Sequence, residues 1–131
     1  EDTDFWVRTA LKYKTAFHNR ISARYRMDGE NRISHSDTLK RKFAKLDKFK
    51  EEEKTNFWLK KFLDLYRSEF ALKFRLAGDK EQFLFYKNAL TLKNISSKTR
   101  FLLCLPAPVL RLLYKIKKLL ENKGFSLSAY H

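Results

Sequence analysis

Apolar residues along this chain follow two rhythms, and the change between them divides it. Residues 2–13 set Phe5, Trp6, Ala10 and Tyr13 at helical spacing behind a first turn rich in acids, which suits the positive end of a helix dipole. From Ile21 the period becomes two. Ile21, Ala23, Tyr25 and Met27 alternate with Ser22, Arg24 and Arg26, the pattern of a half-buried strand. Asp28-Gly29-Glu30-Asn31 then predicts a turn. From Ser36 onward the spacing is helical throughout.

Ser36 or Asp37 can cap a helix bearing Leu39, Phe43, Leu46 and Phe49, with lysines on its other face. Glu51-Glu52-Glu53 breaks that stripe. Thr55 or Asn56 opens a longer helix carrying Phe57, Trp58, Phe62, Leu65, Tyr66, Phe70 and Phe74, and Gly78 stands where a C-terminal glycine belongs. Asp79 can cap a third helix through Phe83, Leu84, Tyr86, Ala89 and Leu90. Ser97 opens a short one around residues 101–105. Pro106-Ala107-Pro108 interrupts it, and Pro108 suits the first turn of a last helix with Val109, Leu112, Leu113, Ile116, Leu119 and Leu120. A lone strand exposes both edges, so the run at 21–27 is expected to pair with a larger sheet or another chain.

Charge changes the picture. Lys and Arg number 29 against 15 acids, a formal net charge of +14, which favours nucleotides, pyrophosphates, nucleic acid or an anionic membrane face as partners. Hydrophobic residues make up 44% and aromatics 15%, too many for a disordered basic tail. The single Cys104 excludes an intramolecular disulfide and fits a reducing, cytoplasmic setting. No run approaches the roughly 20 apolar residues of a spanning helix. The first residue is not Met, and the opening residues already read as a working element, so a cut N-terminus is expected.

The opening run Glu1-Asp2-Thr3-Asp4-Phe5-Trp6-Val7-Arg8, continuing through Lys12-Tyr13-Lys14-Thr15-Ala16-Phe17 to Ala23-Arg24-Tyr25-Arg26, resembles the third motif of family 2 glycosyltransferases. In that family an acidic pair opens a helix, an Arg follows, and a strand ends in Tyr-Arg. The resemblance covers the first quarter of the chain. It implies that residues 1–35, with their short helix and lone strand, close a GT-A catalytic domain. The periodicity makes the chain mainly α, with residues 36–131 as a basic helical C-terminal module. The resemblance further implies inverting transfer from a nucleotide-diphospho sugar to a glycan or lipid-linked acceptor in bacterial polysaccharide synthesis.

On this resemblance Asp2 is the general base and Glu1 its orienting neighbour. A sugar hydroxyl is a poor nucleophile, and a carboxylate within hydrogen-bond reach can take its proton during attack. Read without the family, the same two are ordinary acids of a first helical turn. Arg8 and Arg26 become candidate substrate ligands. Arg26 can meet the donor diphosphate, or it is an exposed strand arginine. Asp28 occupies the neighbourhood of a family His near the metal, and is either a metal ligand or the turn residue. The complete enzyme is expected to use a divalent metal, Mg or Mn. The family's donor-binding strands and Asp-x-Asp precede the acidic pair, so the chain alone is expected to hold no cofactor and to transfer no sugar. His18, His35 and His131 are scattered and form no ligand set.

The helical module carries no motif. Its aromatic stripes read as core. In the last helix Arg111, Lys115, Lys117, Lys118 and Lys123 flank the apolar stripe, so that helix either packs inside the module or lies on an anionic membrane as a peripheral attachment. Two rival readings remain. One is a nucleic-acid-binding helical domain, on the charge and on Lys42-Phe43, Lys61-Phe62 and Lys73-Phe74. The other is an interaction module that forms a homo-oligomer through its apolar faces.

Overall fold

The computed structural model describes residues 2–16, 18–21, 23, 39 and 43–122. These are mainly helical. In order come helix α1 (Asp2–Lys12), a 3₁₀ turn at Leu46–Phe49, α2 (Glu52–Thr55), α3 (Phe57–Ala77), α4 (Lys80–Asn88), a 3₁₀ turn at Leu92–Asn94, α5 (Ser97–Cys104) and α6 (Ala107–Asn122). The chain divides into two compact units, Glu1–Glu51 and Glu52–His131.

The described residues contain no strand. Most of the run at 21–27 lies outside them. Ile21 and Ala23 are described, and both have irregular backbone. A strand needs a neighbour to take up its N–H and C=O groups, and no described segment offers one.

In the first unit α1 buries Val7. Phe5, Trp6 and Tyr13 stay exposed, the first two in an edge-on pair with ring centroids 5.3 Å apart. Of the helix expected over residues 36–49, the described residues are Leu39, in 3₁₀ conformation, irregular backbone at residues 43–45 and the 3₁₀ turn. Two features of the sequence favour this. Lys42, Lys45 and Lys48 recur every three residues, where like charges oppose an α-helix. Leu46 and Phe49, both buried, are three apart and so eclipse on a three-residue turn.

The second unit is built around α3. Leu59, Leu63, Phe70, Ala71 and Phe74 of this helix bury against Phe83 of α4, Ile95, Leu103 of α5 and Leu110 of α6. Phe74 stacks on Tyr86 with rings 5.7 Å apart and 6° from parallel. The starts of α3, α4 and α5 are chemically marked. Asn56 Oδ1 accepts from Leu59 N at 3.0 Å, Asp79 Oδ1 from Gln82 N at 2.9 Å, and Ser96 Oγ from Thr99 N at 3.1 Å. Helix α3 ends at Gly78, whose φ of 92° is left-handed, and the amides of Gly78 and Asp79 both donate to Phe74 O.

Candidate functional site

Two aspartates occupy the first turn of α1 and meet different surroundings. Asp4 is spent on ion pairs: Lys48 Nζ lies 2.5 Å from its Oδ1, and Arg8 Nε lies 3.3 Å from its Oδ2. The hydrogen bond from Lys48 holds the Asp4 carboxyl below the usual aspartate range. The charges of Lys48 and Arg8 add to this, and desolvation opposes it. Asp2 is exposed and makes no ion pair or side-chain hydrogen bond among the described residues. One turn of helix thus offers an engaged carboxylate and an open one.

Of the site residues expected from the sequence, Asp2 and Arg8 are described; Glu1, Arg26 and Asp28 lie outside the described residues. Asp2 and Arg8 are six positions apart, so they project about 120° from one another around α1. Arg8 is drawn toward Asp4 by the i,i+4 spacing. The two therefore do not converge on a single point, and Arg8 reaches an anion only by sharing it with, or leaving, Asp4.

Beside Asp4 lies an open depression of about 520 Å³ lined by Asp4, Ala44, Lys45, Asp47 and Lys48. Its two lysines are offset by two aspartates. It has neither the enclosure nor the surplus positive charge that a diphosphate needs. Among the described residues no three His, Cys, Asp or Glu side chains gather as metal ligands.

A dense polar constellation among the described residues lies elsewhere, and the sequence alone does not single it out. Asp64, fully buried on α3, accepts from Lys60 Nζ at 2.6 Å, Asn94 Nδ2 at 2.6 Å and the Thr91 amide at 3.3 Å. Arg67, one turn on, grips Glu53 of α2 through both terminal nitrogens, at 2.7 and 3.2 Å. The signal was present: Lys60, Asp64 and Arg67 recur at i, i+4 and i+7 on α3, with Asp64 sitting between Leu63 and Leu65. The partners could not be read, because Asn94 and Glu53 arrive from other elements. Asp64 and Glu53 are both matched by donors, and the arrangement holds α2 and the Leu92–Asn94 turn against α3.

The lysine–aromatic pairs are also resolved by position. Phe74 is core, and Phe43 is half-buried; Phe62 is exposed. In α6 the expected stripe is mostly exposed, with Leu120 half-buried. Val109, Leu112, Leu113, Ile116 and Leu119 are all exposed, and Leu110, outside that stripe, is the buried residue. No helix of the described residues is long and apolar enough to cross a membrane. Comparison of the chain with protein-family models, curated proteins and solved structures finds no match.

Proposed function

We propose that the chain is the C-terminal portion of an inverting glycosyltransferase. In this reading Asp2 removes the proton from an acceptor hydroxyl while that oxygen attacks the anomeric carbon of a nucleotide-diphospho sugar. The new C–O bond forms as the bond to the diphosphate breaks. The proton ends on Asp2, and the nucleoside diphosphate leaves with the electron pair. The observation that carries the reading is the contrast within one helical turn: Asp4 is held by Lys48 and Arg8, and Asp2 is left open. A general base must be free to reach its proton. The ordered motif from the acidic pair to Tyr25-Arg26 supplies the reaction class. The exposed Phe5, Trp6 and Tyr13 support α1 being one wall of a larger domain.

The test is donor turnover by the complete protein with a panel of nucleotide-diphospho sugars and glycan or lipid-linked acceptors. The reading predicts acceptor-dependent release of nucleoside diphosphate with one donor. Absence of release with every donor, together with salt-sensitive retention on RNA or DNA, would transfer support to the nucleic-acid alternative.

A further inference from the structure

We propose that α6 is a docking helix for the surface of an anionic phospholipid bilayer. This does not depend on the transferase reading. The exposed apolar residues Val109, Leu112, Leu113, Ile116 and Leu119 fall on one arc of roughly 120° at 100° per residue. Lys115 lies about 40° beyond one edge of that arc and Lys117 about 40° beyond the other. The side chain on either margin is therefore a long aliphatic stem ending in a cation. Such a stem can follow apolar surface into the headgroup layer while its ammonium stays among phosphates.

The helix is held so that this arc faces outward. Leu110 is buried, and Arg111 Nε donates to the Leu76 carbonyl near the end of α3 at 2.9 Å. Both anchors lie outside the apolar arc. The acid of α6, Glu121, is paired with Lys117 at 3.5 Å, which leaves Lys115 and Lys118 uncompensated by acids on the helix.

Charge selects the occupant. Helix α6 carries Arg111, Lys115, Lys117 and Lys118 against one acid, in a chain of net charge +14. A second copy laid antiparallel on the same face would bring cationic margin against cationic margin. An anionic bilayer matches both the apolar arc and its basic edges, at about a fivefold gain in affinity per lysine near the surface.

The experiment is co-sedimentation of the full 131-residue chain with neutral phosphatidylcholine vesicles and with vesicles containing phosphatidylserine, at low and high salt. The expected result is binding to the anionic vesicles alone, lost at high salt. Lys115→Gln/Lys117→Gln, which removes the cation from each margin, should weaken it about 25-fold. Leu112→Asn/Leu119→Asn, at positions 58% and 63% exposed, should abolish it while leaving the helical circular dichroism intact. Equal binding to neutral vesicles, no binding, or a dimer that the leucine variant dissolves would each overturn the proposal. The lipid and salt arms use the unmodified chain, so they decide the matter even if a variant fails to fold.

Discussion

Lys48 Nζ stands 2.5 Å from Asp4 Oδ1, joining the 3₁₀ turn at Leu46–Phe49 to the first turn of α1. This ion pair gives the first unit a pH dependence of known sign. Asp4 has its folded pKa lowered, chiefly by the hydrogen bond from Lys48. The folded state therefore binds its proton less readily than the unfolded chain does. The stability it contributes is present above the ordinary aspartate value and is lost as pH falls through the lowered folded value. In a Trp58→Phe background, acid titration followed by Trp6 fluorescence should show a transition below that ordinary value. Asp4→Asn should remove the transition, and its persistence in the variant would assign it to another group.

Arg67 and Glu53 form an enclosed ion pair in the second unit, with 4% and 13% of their side chains exposed. Arg67→Ala leaves Glu53 without its two donors, while Asp64 keeps Lys60 at 2.6 Å. Breaking such a pair from one side costs about 3–5 kcal/mol. Urea denaturation should report a loss of that order. A loss below about 1 kcal/mol, the range of exposed pairs, would mean that water already screens the site.

Gly78 ends α3 at φ 92°. A methyl group added there would stand 2.9 Å from Arg111 Nη2, the mobile end of a side chain that can shift aside. The backbone cannot relax as easily. Gly78→Ala should therefore destabilise by about 1–2 kcal/mol, the cost of left-handed backbone for an L-residue, read from the thermal midpoint. An unchanged midpoint would show that the C-cap is not held in this conformation.

The parts of this fold that were legible in the sequence are those settled within a few residues. Asn56 and Asp79 announce their helices because a cap acts on an amide three positions ahead. Gly78 announces a helix end for a similar local reason. The Leu46–Phe49 turn is harder to tell from part of a longer helix, because leucine and phenylalanine three apart fit both periods, and the lysine repulsion that separates them is a weaker signal. The contacts of Asp64 with Asn94 and of Asp4 with Lys48 join residues far apart in sequence, so no periodicity forecasts them. The acidic pair at the head of α1 was legible as a candidate site. That Lys48 engages Asp4 and leaves Asp2 open needed the structure. The exposure of the α6 stripe was open for the same reason, since a packed amphipathic helix and one on a membrane share one pattern.

The central claim, that Asp2 is the proton acceptor, is tested most directly by the transfer rate of the complete enzyme carrying Asp2→Asn. The amide keeps the size of the side chain and removes its ability to take a proton. Loss of a general base costs about 10²–10⁴-fold in rate, so turnover should fall by that amount while donor affinity stays unchanged. Near-normal transfer by the variant would contradict the assignment.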